Sequence, residues 1–397
     1  TNRGAGAVII RGFIGPENLL LVDGLRFSQS TFRTGPNQYL VTLPLFAFDS
    51  LEVVRGPIGT LYGNGTIGGV VNARTSFDGP IAIGRYIKDT ANGSDDASVF
   101  MRHTIEKLSV MAGLSHGRIG PLTGGTGDQV LGAAFLDDGR FLAPSFSRFG
   151  WATGLEYRFR ETFRVTGRYL GSSIQDAPRV DRIGNGEIRS YDNVDHFAYA
   201  KGEVISNVLG HVSGTLVFHE TREYVERERC RTRPTLDLDR GELYDRVANL
   251  EACANRDVRE YERRRRNNDI VRTIGTTVLL ERFLGPLALN GGFDVYGDFV
   301  DSSREDARAP DFEFTRAERG NFSDNSTYGT FGAFALGRYR LLDREPHALE
   351  LQAGARVDYA TAFAPDVTGL GDVDYAFSSL SGSAGVSYLH NLDTHVF

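Results

Sequence analysis

Beyond residue 79 the chain alternates apolar and polar positions with a period of two. Over 151–160, Trp151, Thr153, Leu155, Tyr157 and Phe159 fall on one face of an extended strand, and Ala152, Gly154, Glu156, Arg158 and Arg160 on the other. Over 287–300, Leu287, Leu289, Gly291, Phe293, Val295, Gly297 and Phe299 oppose Asn290, Asp294, Tyr296 and Asp298. Over 348–359, Leu349, Leu351, Ala353, Ala355, Val357 and Tyr359 oppose Glu350, Gln352, Arg356 and Asp358, whereas 328–340 alternates poorly. The pattern predicts strands near 80–88, 96–104, 108–116, 148–159, 163–171, 192–204, 210–221, 270–282, 287–299, 328–340, 347–359 and 376–390, with a further one starting at Thr394. The connections then alternate in length: 105–107, 160–162, 205–209, 283–286, 341–346 and 391–393 are short, while 117–147, 172–191, 222–269, 300–327 and 360–375 are long and polar. One face suits lipid and the other, with charges of both signs, suits a wet lumen; short turns at one end and long loops at the other complete the pattern of an antiparallel transmembrane β-barrel. A soluble sandwich gives no reason for that regularity.

Residues 1–76 read differently, as a small glycine-rich α/β unit. Within 51–72, two short β-type runs flank a loop with five glycines and one proline, a composition for tight turns and close backbone approach. Gly63, Gly65 and Gly68 fit the G-x-G-x-x-G dinucleotide pattern, but Val70-Val71-Asn72-Ala73-Arg74 follows with no helical period, so the context that motif requires is missing.

The same stretch, LEVVRGP…LYG…GGVVN, resembles the plug-domain signature of TonB-dependent outer-membrane receptors. Ile10-Arg11-Gly12-Phe13 is similar to that family's IRG(F) block and Leu21-Val22-Asp23-Gly24 to its VDG block, in the same order and approximate spacing. The resemblance implies a plug domain at 1–76 seated in a barrel over 77–397. Such barrels have about 22 strands, so the roughly twelve read here are expected to be part of one. Asp393 onward is too short for a closing strand of about 9–11 residues, and both the plug's start and the barrel's end are expected to be incomplete. The function implied is energised uptake of a scarce nutrient across the bacterial outer membrane, without catalysis. The implied partners are the TonB–ExbB–ExbD complex, outer-membrane lipid and lipopolysaccharide, and a ferric siderophore or haem as ligand. A plugged barrel with a structural, adhesive or signalling role is the alternative.

Composition agrees with this picture. Mean hydropathy is −0.26 and no apolar run approaches the ~18–20 residues of a membrane helix, a test that alternating strands escape. The 47 glycines, 16 tyrosines and 26 phenylalanines suit many strands with aromatic girdles. A net charge of −7 argues against nucleic acid as partner. The chain does not open at Thr1 on a secretory signal peptide, so the sequence is expected to be mature and trimmed. Cys230 and Cys253 both fall in the most polar stretch. A disulfide there suits an extracytoplasmic compartment and would contribute roughly 3 kcal/mol in the chain-entropy model; two free thiols are the other possibility.

No catalytic constellation is visible, and the eight histidines have no metal-ligand spacing, so no cofactor or metal site is expected. His116 and His219, near the predicted extracellular strand ends, are candidate haem ligands. Arg11 and Arg55 stand in the resembling motifs; the resemblance implies that they pair with acidic residues of the barrel wall and lock the plug, with Glu52 in that network. Alignment with the motif makes 27–39 the apical loop and 15–18 a second one. Phe27, Gln29, Thr31, Phe32, Arg33, Asn37 and Tyr39 mix aromatic and hydrogen-bonding groups as ligand pockets do. Arg263–Arg266, with Arg227, Arg229, Arg231 and Arg233, stand among Glu226, Glu228, Glu260 and Glu262. This reads either as a charge-balanced loop or as a contact for lipopolysaccharide phosphates or an anionic ligand.

Overall fold

A computed structural model describes residues 6–32, 39–55, 59–63, 65–90, 93–120, 145–179, 187–230, 261–308, 311–344, 347–366, 369, 371–390 and 395–396. Among them no helix is long and apolar enough to cross a membrane.

Two-residue turns shape the N-terminal unit. Strands β1 (Ile9–Ile10) and β2 (Phe13–Ile14) pair across Arg11-Gly12, with φ of 55° and 88°; β3 (Asn18–Val22) and β4 (Leu25–Arg26) pair across Asp23-Gly24, with φ of 53° and 81°. Positive φ at both central residues is what a type I′ hairpin turn requires, and Asp-Gly is among its preferred pairs. β5 (Ser50–Arg55), a single helical turn α1 (Gly59–Tyr62) and β6 (Gly69–Arg74) complete a four-stranded sheet of order β4-β3-β6-β5, with β3 and β6 parallel. β3 is buried along its whole length, as its unbroken apolar run requires of a strand covered on both faces. β5 is the edge, and all six of its residues are exposed.

The glycines serve close packing. A Cβ on Gly68 would collide with the Asn18 side chain and stand 2.7 Å from Phe13 Cβ and 3.1 Å from the Ile10 carbonyl oxygen. Asn18 is held there by donating to the Val8 and Phe13 carbonyls at 3.0 and 2.7 Å. A strand, β6, follows, so the dinucleotide pattern is not met. Gly68→Ala is expected to destabilise this unit by about 1–3 kcal/mol, the usual range for overpacking, measured as a lower denaturation midpoint in detergent; an unchanged midpoint would contradict the packing described.

From β7 onward the chain builds one antiparallel sheet. Its strands are β7 (Ile81–Asp89), β8 (Ser94–Ile105), β9 (Leu108–Ile119), β10 (Phe146–Arg160), β11 (Phe163–Pro178), β12 (Glu187–Ser206) and β13 (Gly210–Cys230). Then come β14 (Tyr261–Leu284), β15 (Leu287–Arg308), a short β16 (Thr315–Arg316), β17 (Ser326–Arg344), β18 (His347–Ala364), β19 (Val373–His390) and a short β20 (His395–Val396). Each long strand pairs with its sequence neighbours, and β16 lies beside β15. The twelve long strands are those the periodicity predicts. They run further at the long-loop end: β14 has 24 residues, far more than the ~9–11 that cross a bilayer. The extensions of β9 to β13 bury an inward apolar cluster of Ile119, Phe146, Ile174, Ala177, Tyr191 and Val225, with too few apolar positions on each strand for a period of two to show.

The outward positions are apolar and exposed: Val99 59%, Leu155 53%, Leu216 67%, Ile274 59%, Leu380 77%. Aromatic groups edge this band at both ends. At one, Trp151, Tyr169 and His196 cluster, with Tyr169 Oη 2.7 Å from His196 Nδ1; at the other, Tyr157 meets Phe159 edge to face and Phe159 stacks on Phe163. An apolar band between aromatic girdles is the outer surface of a membrane barrel. The inward positions of β8 to β15 touch the N-terminal unit, and α1 touches β17, β18 and β19. A sheet whose successive strands all meet one small unit must curve around it. The main core lies in that contact: Leu20, Val22, Phe27, Phe32 and Tyr39 from the unit, Met111, Leu170, Phe197, Val217 and Tyr296 from the wall.

Candidate functional site

The seam between the N-terminal unit and the curved wall concentrates the buried polar chemistry. Asp23 occupies the β3–β4 turn, and its carboxylate accepts from the Thr75 amide (2.7 Å), the Thr75 hydroxyl (2.8 Å) and the Tyr199 hydroxyl of β12 (2.8 Å). Arg168 of β11 stands 3.8 Å away, its side chain 6% exposed, with its guanidinium 4.1 Å over the Phe77 ring. Nearby, Arg102 of β8 donates to Asp49 (2.5 Å) and to the Ser76 and Gly79 carbonyls (3.3 and 3.1 Å). Asp49 in turn accepts from the Ser76 amide. Both nodes grip the segment that joins β6 to β7. A third node is Arg356 of β18, 2% exposed, which donates to Asp294 (2.8 Å), Asp358 (2.7 Å) and the Leu61 carbonyl (3.4 Å). Gly63 lies over this guanidinium, where a Cβ would stand 2.7 Å from Nε. Buried charges are tolerable when paired in this way and expensive when a partner is lost.

Higher on the wall the contact is aromatic. Phe27 stacks on His219 at 4.4 Å and tilts against Phe197 at 5.7 Å. His219 is wholly buried, with Nε2 2.7 Å from Asp195 Oδ1 and Thr221 bridging the pair. Gln29 donates to Thr273 (3.1 Å), the Ser30 amide to Asp298 (2.7 Å) and the Arg26 amide to the Tyr296 hydroxyl (3.3 Å). Beside α1 a cavity of about 290 Å³ opens between Arg26, Tyr62, Asp294, Arg356 and Asp358. Burial, with Glu52 nearby, raises the Tyr62 phenol above its ordinary value and keeps it neutral.

The residues expected to lock the plug sit elsewhere. Arg11 is in the β1–β2 turn and Arg55 ends the exposed edge strand β5; neither has an ion-pair partner among the described residues. Glu52 accepts from Asn72 at 3.0 Å and pairs with Arg74 at 3.4 Å, both within its own unit. At two nodes of the seam the polarity is the reverse of the expectation, Asp23 and Asp49 of the unit facing Arg168 and Arg102 of the wall, whereas Arg356 pairs with Asp294 and Asp358 of the wall itself. The lumen-facing parity of Arg102 and Arg168 marks them in the sequence, and Asp23 stands in the VDG block.

Of the expected ligand residues, Phe27, Gln29, Phe32 and Tyr39 are buried at 2, 5, 8 and 5% exposure. Phe32 stacks on Tyr39 at 3.8 Å, and the Tyr39 hydroxyl donates to the Thr31 carbonyl at 3.4 Å. These rings turn inward to the core, and Phe32 and Tyr39 edge only a small cavity of about 10 Å³. Arg33, Asn37, Cys253 and the Cys230 side chain lie outside the described residues. The haem-ligand role considered for two histidines is corrected: His116 is exposed on the outward face of β9, and His219 is sealed under Phe27. Among the described residues no group of three or more His, Cys, Asp or Glu could hold a metal ion.

Residues 1–70 match the model of the TonB-dependent Receptor Plug Domain. Over 95 residues the chain is 36% identical to "Vitamin B12 transporter BtuB" of Vibrio vulnificus (strain YJ016), a match covering 23% of this chain and 14% of that protein. Over 102 residues it is 34% identical to "Iron-regulated outer membrane virulence protein" of Vibrio cholerae serotype O1, covering 23% and 15%. Among solved structures it is similar to "Copper transporter OprC", with a TM-score of 0.69 at 15% identity, covering 98% of this chain and 56% of that one. It is also similar to the hemophore receptor HasR of Serratia marcescens, with a TM-score of 0.62 at 12% identity, covering 98% and 55%. The chain thus spans about half the length of these solved receptors, which share its fold.

Proposed function

Because the chain belongs to the TonB-dependent receptor family, we propose that it is the plug and part of the barrel of an outer-membrane receptor for energised nutrient uptake. The plug comprises residues 1–76 and the barrel wall 77–397. A ligand arriving from outside settles above the plug. The TonB–ExbB–ExbD complex then draws on the inner-membrane proton-motive force to rearrange the plug, and no bond in the ligand is made or broken. The ligand is a ferric siderophore before haem, since His116 points outward and His219, though on the inward face, is sealed beneath Phe27 where an iron porphyrin could not reach it. The plug's lock is the wall set of Arg102, Arg168 and Arg356, and the lipid band with its girdles seats the barrel in the outer membrane.

The observation that carries this reading is the seam itself. Beside the apolar contact, the plug is held by hydrogen bonds and ion pairs at Asp23, Asp49 and Leu61, directional contacts that can be broken and re-formed between the same partners. A permanent stopper needs no such arrangement. The test is growth and uptake. Deleting the gene is expected to impair growth in iron-starved medium, with rescue by excess ferric salt. Uptake of a labelled ferric chelate is expected to stop when a protonophore collapses the proton-motive force. Uptake that persists without proton-motive force would sink the proposal and leave a passive or structural barrel.

A further inference from the structure

The arginine-rich ends of β12 to β15 divide by strand parity. On β13 and β14 the even positions point outward, as Leu216 and Ile274 do, and here Arg264 and Arg266 are neutralised: Arg264 meets Glu226 and Glu228 at 3.1 and 2.9 Å, and Arg266 meets Glu226 at 3.2 Å. The inward positions continue, without a break in register, from the residues that touch the plug, namely Phe197, His219, Thr273 and Asp298. On that face one cross-strand row reads Arg189, Arg227, Arg265, Asp306 and the next Glu187, Arg229, Arg263, Arg308. Six arginines thus stand against two carboxylates, several of them directly opposite one another.

Like charges directly opposed across a ladder, with Cβ atoms about 4.5–5.5 Å apart, destabilise a sheet. The local carboxylates are already shared: Asp306 takes Arg263, Arg265 and Arg304 at 3.0, 2.9 and 3.1 Å, and Glu187 takes Arg189. Nε of Arg263 is buried with no hydrogen-bond acceptor. Arg227 and Arg229 hold contacts of their own; the excess is one of net charge among the described residues of these two rows. Eight residues separate His219 from Arg227, which puts the belt about 26 Å along the strand from the plug contact at the ~3.3 Å rise of a strand.

We infer that this belt is an anion-capture site in the extracellular vestibule, selecting a soluble ligand with several negative charges: a chelate or small molecule bearing carboxylate, catecholate or phosphate groups. The inference rests on the receptor reading for its purpose, but the binding it describes is independent of transport. Planar guanidinium forks bind such oxygens in pairs, and a cluster of one sign focuses anions from dilute solution. Lipopolysaccharide fits less well, because the belt faces the lumen while the face towards the leaflet is neutralised.

The test uses the complete receptor in detergent, with a trianionic ferric tris-catecholate and a neutral ferric tris-hydroxamate as probes in titration calorimetry. Arg227→Gln combined with Arg265→Gln is expected to weaken catecholate binding by tenfold or more, roughly the scale of losing one or two charge-assisted contacts, and to flatten its salt dependence. Millimolar citrate is expected to raise the melting temperature of the wild type and not of the variant, and without anion the variant should melt no lower than the wild type. A variant that melts lower, with citrate having no effect on either protein, would mean that the chain's own carboxylates complete the network and would overturn the inference. Equal binding of both chelates by the wild type would overturn it too. Neither result depends on proton-motive force, so failure here and failure of the uptake proposal are separable.

Discussion

Replacing Asp23 by alanine is expected to loosen the plug from the wall by about 3–5 kcal/mol, the range for stripping one partner from a buried charged contact. Three donors lose their acceptor at once: the Thr75 amide, the Thr75 hydroxyl and the Tyr199 hydroxyl. Arg168, 6% exposed and facing Phe77, keeps its charge and loses the nearest carboxylate. That stranded cation dominates the effect, because a neutral donor left unsatisfied costs only about 1–3 kcal/mol. Alanine also has to sit at φ 53°, where an L-residue is strained by roughly 1–2 kcal/mol. Asp23→Gly removes the carboxylate without that strain, so the difference between the two variants isolates the backbone part. Adding Arg168→Met to Asp23→Ala should recover a large share of the loss, as coupled partners do. The measurement is the denaturant midpoint for plug release, followed by protease cutting of the 75–79 segment in detergent. Coincident transitions for wild type and Asp23→Ala would show that the node does not hold the plug.

How far the sequence announced this arrangement depends on which physical rule governed each part. The wall was legible because lipid on one face and polar lumen on the other impose a period of two over a bilayer crossing, clear in β10, β15 and β18 and weak in β17. The extensions of β13, β14 and β15 were not, because charged residues dominate them and apolar ones such as Val225 and Ala307 are isolated; the run Arg263–Arg266 looks like one basic cluster until strand parity sends two arginines outward and two inward. The Asp23-Gly24 turn was legible as local chemistry. Its larger role was not, since Tyr199 lies 176 residues away and no local rule sets that pairing. Arg11 and Arg55 drew attention through the motifs that contain them, yet a motif does not state which side of the plug meets which part of the wall. β5 lies at the sheet edge, and no described strand of the wall covers it. Phe27 to Tyr39 looked like a ligand loop on composition. Aromatic rings serve a core equally well, and Phe27, Phe32 and Tyr39 are buried.

The second large effect follows from that last point. Phe27→Ala is expected to cost about 3 kcal/mol of plug docking, the lower end of the range for a buried phenylalanine. The ring is 2% exposed and stacks on His219, so its loss opens a cavity between plug and wall. That cavity would not be purely apolar. His219 Nδ1 and Gln29 Oε1 are both buried without a hydrogen-bond partner, and a water entering the space would meet groups able to bind it, which offsets part of the penalty. Phe27→Leu keeps most of the volume and should cost under ~1.5 kcal/mol. In cells the alanine variant should admit bulky outer-membrane-excluded antibiotics that the wild type and the leucine variant keep out, because hydration of the seam breaks the seal. The competing role for Phe27, direct contact with ligand, predicts the opposite division: weaker ligand binding in both variants, with docking stability and antibiotic exclusion unchanged. Measuring stability and affinity on the same purified variants therefore decides whether this ring seals the plug or reads the ligand.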